Sequence, residues 1–331
     1  MLRLILSRMW QGALVLLIVS ALTFALLAAA GGDALTALRN DPLVKAETVE
    51  QLRRVYGLDE PLPVRYARWL GNVARRDLGE SFFYHAPVSK ILWPRLLNTL
   101  LLAGVALGLA SAFSLALGSW AARRSGSLVD RLCGALILLA ASTPRLVLAL
   151  AALVFAARTS LFSAGAGASV ASSGGAARVL LPALVLAVPL VALFLAQTRE
   201  GVGAALREDF VRVARAKGLP ERVVVLRHAM RAALNPLITI FGYSLGYTIS
   251  GSVIVETVLG WPGLGHLSVV AVRSRDVPLL MGVVLTTATA VLLGNLLADI
   301  LLRANDPRLR DDEQRPPALV SSLRAANTPN V

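Results

Sequence analysis

The sequence predicts an all-α integral membrane protein with six transmembrane helices, and two observations carry that prediction. Hydrophobic residues make up 56% of the 331 residues and charged residues only 16%, where a soluble domain has about a quarter. The charges are also clustered, so that long segments without Asp, Glu, Lys or Arg each approach the ~20 residues that a helix needs to cross a bilayer. Because lipid leaves open backbone groups unpaired, these segments are expected to be helices. They are residues 9–32, 96–122, 179–198, 232–255 and 277–298, with residues 132–157 as a sixth, interrupted span.

The basic residues that flank the spans predict that both termini lie in the cytoplasm. Cytoplasmic loops of membrane proteins are rich in Lys and Arg. Arg3 and Arg8 precede the first span, whereas the loop between Arg158 and Arg178 contains no further basic residue. The richest segment lies between the fourth and fifth spans, with Arg199, Arg207, Arg212, Arg215, Lys217, Arg222, Arg227 and Arg231.

The first span has two interpretations. Its preceding arginines, its apolar core and the small residues 28–30 would also suit a secretory signal peptide. A signal peptide has an apolar core of only ~7–15 residues, and the apolar stretch here is longer. We therefore expect a retained membrane helix over residues 9–30.

Residues 31–95 are expected to form an external region with short helices of its own. Helical spacing predicts one helix over residues 47–56, ended by Gly57, and another over residues 64–70. Tyr66 and Trp69 suit the membrane interface. This region is either a small cap over the external mouth of the protein or part of a docking surface for a soluble partner.

The second span is expected to begin near Leu96 and carries small residues about one helical turn apart. Gly104, Gly108 and Ser111 would let another helix approach closely. We expect this stripe to be a packing face within the subunit, with a subunit interface as the alternative.

The third span contains Pro144, which predicts a kink, followed by Arg145. By a rise of ~1.5 Å per residue, Arg145 lies near the middle of the membrane. An arginine there costs at least ~2.5 kcal/mol on insertion scales, so its side chain needs a cavity or a partner. One hypothesis places Arg145 on a translocation path, attracting a carboxylate of the cargo. The alternative is a structural partner, either a helix carbonyl or an acid such as Glu256 or Asp299.

Residues 256–265 follow the fifth span and contain Trp261, one proline and three glycines. This density of Pro and Gly is incompatible with a regular helix. The segment is either a tight external turn, with Trp261 at the membrane interface, or a re-entrant element near an outer gate. In the second interpretation Glu256 holds the element in place.

Motifs for catalysis or metal binding are missing from the sequence. It contains no phosphate-binding loop of the G-x-x-x-x-G-K-[ST] type, no H-E-x-x-H and no C-x-x-C. With Cys133 as its one cysteine, the chain can form no internal disulfide. We therefore expect no catalytic residue, no metal site and no bound cofactor. If the protein is a pump, its energy source lies outside this chain.

The net charge of +13 follows from basic cytoplasmic loops and does not indicate nucleic acid. The histidines are too scattered to predict a metal site: His85, His228 and His266.

The segment around which the chain is organised is residues 208–236, basic and amphipathic, between two apolar spans. Helical spacing predicts a helix over residues 209–217, with Phe210, Val213 and Ala214 on its apolar face. Gly218 ends this helix and is expected to be a hinge between it and a second short helix.

Pro220 then begins a second short helix at a favoured early position. Its expected apolar stripe is Val223, Leu226 and Met230. A protein partner could approach the backbone closely at the end of the first helix, because the residues there are small: Ala214, Ala216 and Gly218. A basic helix lying on anionic lipid is the alternative.

Residues 212–218, which read R-V-A-R-A-K-G, resemble the E-A-A-x-x-x-G coupling motif of importer permeases of the ATP-binding cassette class. Arg212 replaces the glutamate and Arg231 replaces an early proline, while Pro236 fits. These departures resemble the dipeptide/oligopeptide/nickel permease family, whose usual form is RTARAKGL…RHALRNALLP. Further motifs of that family occur in order: GLDEPLPVRYARWLG (57–71), RDLGESF (76–82), PVSKIL (87–92), VIVETVLGWPGLG (253–265) and DPRLR (306–310).

The resemblance implies a type I importer fold in the inner membrane of a bacterium. It implies a second, homologous permease subunit as partner, two ATP-hydrolysing subunits below, and a periplasmic or lipid-anchored binding protein that delivers cargo. ATP is then bound by the partner subunits and not by this chain. The implied cargo is a di- or oligopeptide, with nickel chelates or another small solute as the alternative. The residues implied to couple to the ATPase are Arg212, Ala214, Arg215, Ala216, Lys217 and Gly218.

The expected organisation has three parts. Residues 1–95 form the first span and the external helical region, and residues 96–303 form the importer transmembrane domain, with a coupling helix at about 208–231. Residues 304–331 are expected to be a disordered cytoplasmic tail.

Two other classes of protein compete with this interpretation. An ion-coupled secondary transporter would need acidic residues within its spans, and only Glu256 and Asp299 are candidates, both near span ends. A membrane receptor or scaffold would not need the basic segment.

Overall fold

The structure, a computed structural model, describes residues 2–29, 47, 50–51, 59–159 and 175–305. Helices dominate this part of the chain, and the one sheet in it is a two-stranded antiparallel hairpin. The strands are β1 (Glu80–Ser81) and β2 (Ala86–Pro87). The helices are α1 (Leu2–Ala29), α2 (Leu62–Ala74), α3 (Val88–Arg123), α4 (Leu128–Ser142), α5 (Arg145–Thr159), α6 (Gly175–Ala205), α7 (Asp209–Ala216), α8 (Glu221–Leu259), α9 (Leu264–Arg273) and α10 (Val277–Asn305).

Five of the described helices are long and apolar enough to cross a membrane: α1, α3, α6, α8 and α10. The bent pair α4–α5 raises the number to six when it is taken as one span. The fold is therefore the predicted all-α membrane architecture. The cytoplasmic placement of both termini stays a prediction.

The third span is broken, and the expected kinked helix is wrong. Helices α4 and α5 meet at an angle of 96°. Thr143 between them has an extended backbone, with φ −88° and ψ 117°. Proline disfavours the helical conformation of the residue before it, and the Thr143 hydroxyl donates a 2.6 Å hydrogen bond back to the carbonyl of Leu139. Pro144 thus ends one helix, and Arg145 becomes the first residue of the next.

The second span begins eight residues earlier than expected, at Val88 instead of Leu96. Pro94 lies inside the helix, between Lys90 and Arg95. The helix continues beyond the apolar stretch because Val88 is fully buried and anchors its first turn.

The small-residue stripe of α3 is a packing face within this subunit only in part, because the hydroxyl of Ser111 is buried but the two glycines are open. A Cβ atom built on Gly104 or on Gly108 would meet nothing within 4 Å. The buried face of α3 is a different one, formed by Leu102, Ala106 and Leu107.

The core lies where α3, α6 and α8 meet, with α5 against them. Leu186 and Leu190 of α6 are almost fully buried there. Helix α6 runs without a break through Pro182 and Pro189. Near its C-terminal end α6 crosses α3 so closely that a Cβ on Gly118 would lie 2.9 Å from the Cβ of Thr198.

Helix α2 confirms the second short helix predicted within residues 31–95 and is longer than expected, while the external position of this region stays a prediction. It packs on α1, where the hydroxyls of Tyr66 and Ser20 are 2.9 Å apart. The ring of Tyr66 stacks on that of Trp69, with centroids 6.1 Å apart. At the other end of α1, Arg8 forms a 2.8 Å ion pair with Asp299 of α10.

The hairpin formed by β1 and β2 was not predicted. Asp276 joins it to α10, since one carboxylate oxygen accepts hydrogen bonds from the Ser81 hydroxyl (2.6 Å) and the Phe83 amide (3.0 Å). The other oxygen accepts from the amide of Leu279 at 3.1 Å. A buried carboxylate thus links two segments that are distant in sequence.

Three expectations concern residues that lie outside the described ranges. They are most of the predicted helix over 47–56 with its cap at Gly57, the glycine-rich loop between Arg158 and Arg178, and the tail from residue 306 onward.

Candidate functional site

The basic segment forms a short helix, α7, that is packed onto the rest of the chain by one face. Its buried residues are Val211 and Ala214, which pack with Val224 of α8 and Leu206. The expected apolar face was therefore wrong in part, because Phe210 and Val213 are 44% and 54% exposed. The spacing of Val211 and Ala214, three residues apart, was a signal for this inner face.

A tight turn joins α7 to α8. Lys217 caps α7, and Gly218 has φ +74°, a left-handed conformation that glycine adopts without strain. Pro220 then precedes α8 with extended backbone angles. Across the turn, the Nε and Nη2 atoms of Arg215 donate hydrogen bonds of 3.2 and 2.8 Å to the two carboxylate oxygens of Glu221. This pairing raises the pKa of Arg215 above its ordinary value.

The outer surface of α7 and its turn carries most of the predicted coupling residues. Five of those six are exposed, and only Ala214 points into the chain, so that it supports α7 and is not part of the surface. Arg212 adds a 3.1 Å ion pair with Asp209 that is open to solvent. We call the outer set the α7 surface: Phe210, Arg212, Val213, Arg215, Ala216, Lys217 and Gly218.

Gly218 does not connect two short helices, as had been expected. The helix that follows it, α8, runs unbroken from Glu221 to Leu259. Its length is roughly 58 Å at 1.5 Å per residue. The α7 turn is therefore attached directly to a membrane-spanning helix.

The predicted stripe on the early part of α8 is wrong in part, because Met230 packs against the residues of α6 but Leu226 does not. Leu226 is 66% exposed, whereas Val224, Val225 and Ala229 are buried. Val225 and Ala229 pack against Val202 and Ala205 of α6, whereas Val224 packs against α7. Residues 224–229 adopt a π-helical turn, which shifts the inward face relative to an α-helical spacing.

At the opposite end of α8, Glu256 is fully buried and holds the loop that follows. Its Oε1 atom accepts hydrogen bonds from the hydroxyls of Thr99 (2.8 Å) and Ser252 (2.9 Å). Its Oε2 atom accepts from the backbone amide of His266 at 3.0 Å. The amide of Leu264 in turn donates to the Thr99 hydroxyl at 2.8 Å. This carboxylate thus joins α3, α8 and the start of α9.

Trp261 lies in the core and not at the membrane interface, since only 5% of it is exposed. Its indole N–H donates to the carbonyl of Asn98 at 3.2 Å, and the Asn98 side-chain amide donates to the carbonyl of Pro262 at 2.8 Å. The glycines of this segment allow the close approach: a Cβ on Gly263 would lie 2.4 Å from the Glu256 carboxylate.

Arg145 contacts neither of the acids that had been considered for it. Asp299 pairs with Arg8, and Glu256 is held by the donors described above. The guanidinium carbon of Arg145 lies instead 3.9 Å from the ring centroid of Tyr247 on α8.

One ion pair of this region was missed from the sequence. Arg199 of α6 donates from its Nε atom to the carboxylate of Asp130, near the start of α4. Asp130 also accepts from the amide of Gly126, so the α3–α4 turn and α6 are tied together. Because residues 199–231 are rich in arginine, the sequence does not show which individual arginines pair with carboxylates of the same chain.

Within the described residues, no group of three His, Cys, Asp or Glu side chains is arranged to hold a metal ion. In this arrangement an exposed helix is joined through a tight turn to a long helix, whose far end is hydrogen-bonded to the loop before α9.

Comparison with known proteins identifies the family. Residues 114–311 match the model of the binding-protein-dependent transport system inner membrane component, and residues 1–103 match the model of its N-terminal region. The oligopeptide transport system permease protein AppB of Bacillus subtilis is 36% identical over 301 residues, covering 89% of this chain and 95% of that protein.

Two Brucella proteins are similarly related. One from Brucella suis, with the words peptide permease in its name, is 35% identical over 317 residues, covering 94% of this chain and 99% of that protein. One from Brucella abortus, with the words peptide transport system permease in its name, is 37% identical over 312 residues, covering 93% and 99%. The resemblance inferred from the motifs is thereby confirmed, as is the location of the protein as a multi-pass component of the inner membrane. The chain belongs to the family of inner membrane components of binding-protein-dependent transport systems.

Proposed function

We propose that this chain is one membrane-spanning permease subunit of an ATP-driven importer that carries peptides across the bacterial inner membrane. The observation that carries the proposal is the attachment of the α7 surface to α8, within a chain of this family. The names of relatives similar over nearly their whole length support peptides as cargo. Nickel chelates or another small solute are the alternative.

Within this proposal the α7 surface docks on an ATP-hydrolysing partner. Val211 and Ala214 fix α7 to α8, and the bidentate bond between Arg215 and Glu221 makes the turn stiff. A push on α7 therefore acts on α8 as on one body. Rigid-body movement of this kind is what alternating access needs.

A second permease subunit of the same family is the proposed lateral partner. The open side of α3 at Gly104 and Gly108 supports this, because small exposed residues let a helix of another subunit approach closely. Two ATPase subunits on the cytoplasmic side and a periplasmic or lipid-anchored binding protein complete the proposed complex. ATP is bound and hydrolysed by those ATPase subunits, so this chain needs no cofactor, and both of its termini lie in the cytoplasm.

The contacts of Glu256 and Asp299 speak against an ion-coupled secondary transporter. Both carboxylates are engaged, one by three hydrogen-bond donors and the other by Arg8. A carboxylate that binds and releases a coupling ion needs to be free during part of the cycle.

The discriminating experiment places an arginine on the α7 surface. Ala216→Arg adds bulk to the exposed face without touching the buried one, and Ala204→Arg makes the same change at an exposed alanine on α6. If α7 docks on an ATPase, Ala216→Arg lowers ATPase recovery during affinity purification and stops ATP-driven peptide uptake, while Ala204→Arg does neither.

The alternative, α7 lying on anionic lipid, gives the opposite result. An added positive charge strengthens attraction to anionic lipid by about 1 kcal/mol. Normal ATPase recovery and normal uptake by the Ala216→Arg complex, at an unchanged amount in the membrane, would refute the docking role.

A further inference from the structure

The charge of Arg145 lies beside the apolar part of α8, and the described part of the chain supplies no carboxylate for it. Arg145 stands at the break between α4 and α5, against the middle of the membrane-spanning part of α8. The acids of the neighbouring spans are already bound: Glu256 by Thr99 and Ser252, and Asp299 by Arg8. Its described contact is the ring of Tyr247, 3.9 Å from the guanidinium carbon.

The surface of α8 is shaped to receive this guanidinium. A Cβ atom on Gly251, one turn beyond Tyr247, would lie 1.4 Å from Nη1 of Arg145. Any larger residue would push the side chain away. A guanidinium over an aromatic face is held by a cation–π interaction. The N–H donors at its edge stay available to bind another ligand.

The same face of α8 continues as an aromatic strip. Tyr247 is 41% exposed and Tyr243, one turn earlier, is 67% exposed. Their rings stack with centroids 6.2 Å apart. Together with Arg145 they form a patch of one cation and two phenols, which we call the Arg145 patch.

This patch is unsuited to lipid. A charged side chain facing hydrocarbon is costly, and irregular backbone at membrane depth is tolerated only in protein or along a water-filled cavity. The backbone beside Arg145 is irregular, because Thr143 is extended and Pro144 follows it, and Pro144 is exposed. The patch therefore faces either the translocation route or another subunit.

We propose that the Arg145 patch binds the C-terminal carboxylate of a peptide during its passage, and this rests on the proposed function. A carboxylate is the charge that Arg145 lacks, and a guanidinium can bind it through two parallel N–H donors. The tyrosine rings flank the position that the peptide chain then occupies, and their hydroxyls supply hydrogen bonds without adding charge. A carboxylate of the second permease subunit is the competing partner, and the experiment below separates the two.

The test uses the complete importer in proteoliposomes, with its binding protein loaded with a tripeptide or with the C-terminal amide of the same tripeptide. We expect the wild-type complex to import the acid faster than the amide. Arg145→Gln lowers import of the acid roughly tenfold, the value of one charge-assisted hydrogen bond, and leaves the amide unchanged. Because one binding protein serves every complex, a change in the acid-to-amide ratio reports the permease. Arg131→Gln, at an exposed arginine of α4, leaves the ratio at its wild-type value.

Gly251→Ala provides a second variant that removes no charge. Its added methyl displaces the guanidinium from Tyr247 and lowers the ratio in the same direction. Gly134→Ala is the matched control, since a Cβ there meets nothing within 4 Å. If Arg145→Gln prevents assembly, the ratio measured with Gly251→Ala decides the question.

The outcomes are distinguishable. Wild-type import of neither peptide, with the complex assembled and hydrolysing ATP, would refute peptides as cargo and therefore the proposed function. Import of both with an unchanged ratio in Arg145→Gln or Gly251→Ala would refute the role of the patch alone. Equal loss of acid and amide import, together with loss of the second permease subunit on purification, would assign Arg145 to that subunit instead.

Discussion

Thr99 and Glu256 lie 157 positions apart in the chain, yet the hydroxyl of Thr99 donates a 2.8 Å hydrogen bond to Oε1 of Glu256. The same hydroxyl accepts from the amide of Leu264, so one threonine connects α3 to both sides of the loop between α8 and α9. Under the proposed function, a movement of α8 that begins at the α7 surface would reach this loop and α3 through these bonds.

Replacing Glu256 by Gln is expected to destabilise the protein. A glutamine keeps the shape of the side chain but turns one acceptor oxygen into an NH₂ donor, which then faces the donors of Thr99, Ser252 or His266. Leaving such buried groups unsatisfied costs about 1–3 kcal/mol. Chemical unfolding of the purified protein in detergent measures the change.

Glu200→Gln is the control for this comparison, because Glu200 is exposed on α6. Its free energy of unfolding is expected to change by less than about 0.5 kcal/mol. Equal stability of the Glu256→Gln and Glu200→Gln variants would contradict the structural role of Glu256.

The membrane helices were predictable from the sequence because hydrophobic length and charge segregation act along the chain. Local chemistry also predicted the end of α7 at Gly218, a residue that tolerates the φ of +74° found there. The end of the helix at Pro144 was harder to predict, because a proline within a helical segment either kinks the helix or ends it. Neighbouring segments decide between the two.

The contacts between distant segments were not predictable. Nothing local to Ser81 indicates that its hydroxyl meets Asp276, and nothing local to Arg145 indicates Tyr247. The inward face of early α8 was missed for a related reason. A π-helical turn changes the residue spacing, and it brings Val225 and Ala229 against α6.

Gly242→Ala is expected to separate α8 from α10. A Cβ on Gly242 would lie 1.9 Å from the Cβ of Ala298, so the two helices must move apart. Overpacking of this kind costs about 1–3 kcal/mol. The midpoint of thermal unfolding measures it, and adding Ala298→Gly to the same chain should restore part of the loss, since the two positions are coupled.

Gly134→Ala controls for the intrinsic helix preference of alanine. Its Cβ meets nothing within 4 Å, and alanine is favoured over glycine in a helix by about 1 kcal/mol. The control is therefore expected to be neutral or slightly stabilising. A Gly242→Ala protein as stable as this control would show that α8 and α10 are not in close contact at Ala298.

Asp276→Ala is expected to release the hairpin formed by β1 and β2. The change removes the acceptor for the Ser81 hydroxyl and for the amides of Phe83 and Leu279. Hydrogen exchange of residues 80–87 should become faster, because local opening no longer breaks these bonds. Exchange in α6 should stay the same.

Asp77→Ala provides the comparison for that experiment. Asp77 accepts only a local bond in the described structure, from the amide of Gly79 at 2.9 Å, and it is exposed. Its removal is expected to affect hairpin exchange less than Asp276→Ala does. If the two variants exchange alike, Asp276 does not anchor the hairpin.

The backbone of Gly218 permits a test of the α7 turn that separates conformation from surface contact. Its φ is +74°, and a Cβ there meets nothing within 4 Å, so a substitution acts mainly through the backbone. Asparagine tolerates this region, whereas valine, branched at Cβ, is an outlier in it. Gly218→Asn is therefore expected to retain ATPase recovery on affinity purification, and Gly218→Val to lose most of it.

Gly126→Val is the control that separates the effect of backbone strain in a turn from an effect on ATPase docking. Gly126 has φ +81° in the turn between α3 and α4, and a Cβ there also meets nothing within 4 Å. Gly126→Val carries a comparable backbone strain, about 1–2 kcal/mol, but lies away from the α7 surface. We expect it to lower stability without lowering ATPase recovery. The strain is matched at Gly126, and Gly218→Asn adds similar bulk at the same position, so a loss confined to Gly218→Val points to the geometry that the turn gives to α7. An equal loss in Gly218→Val and Gly126→Val would remove that geometry as the cause.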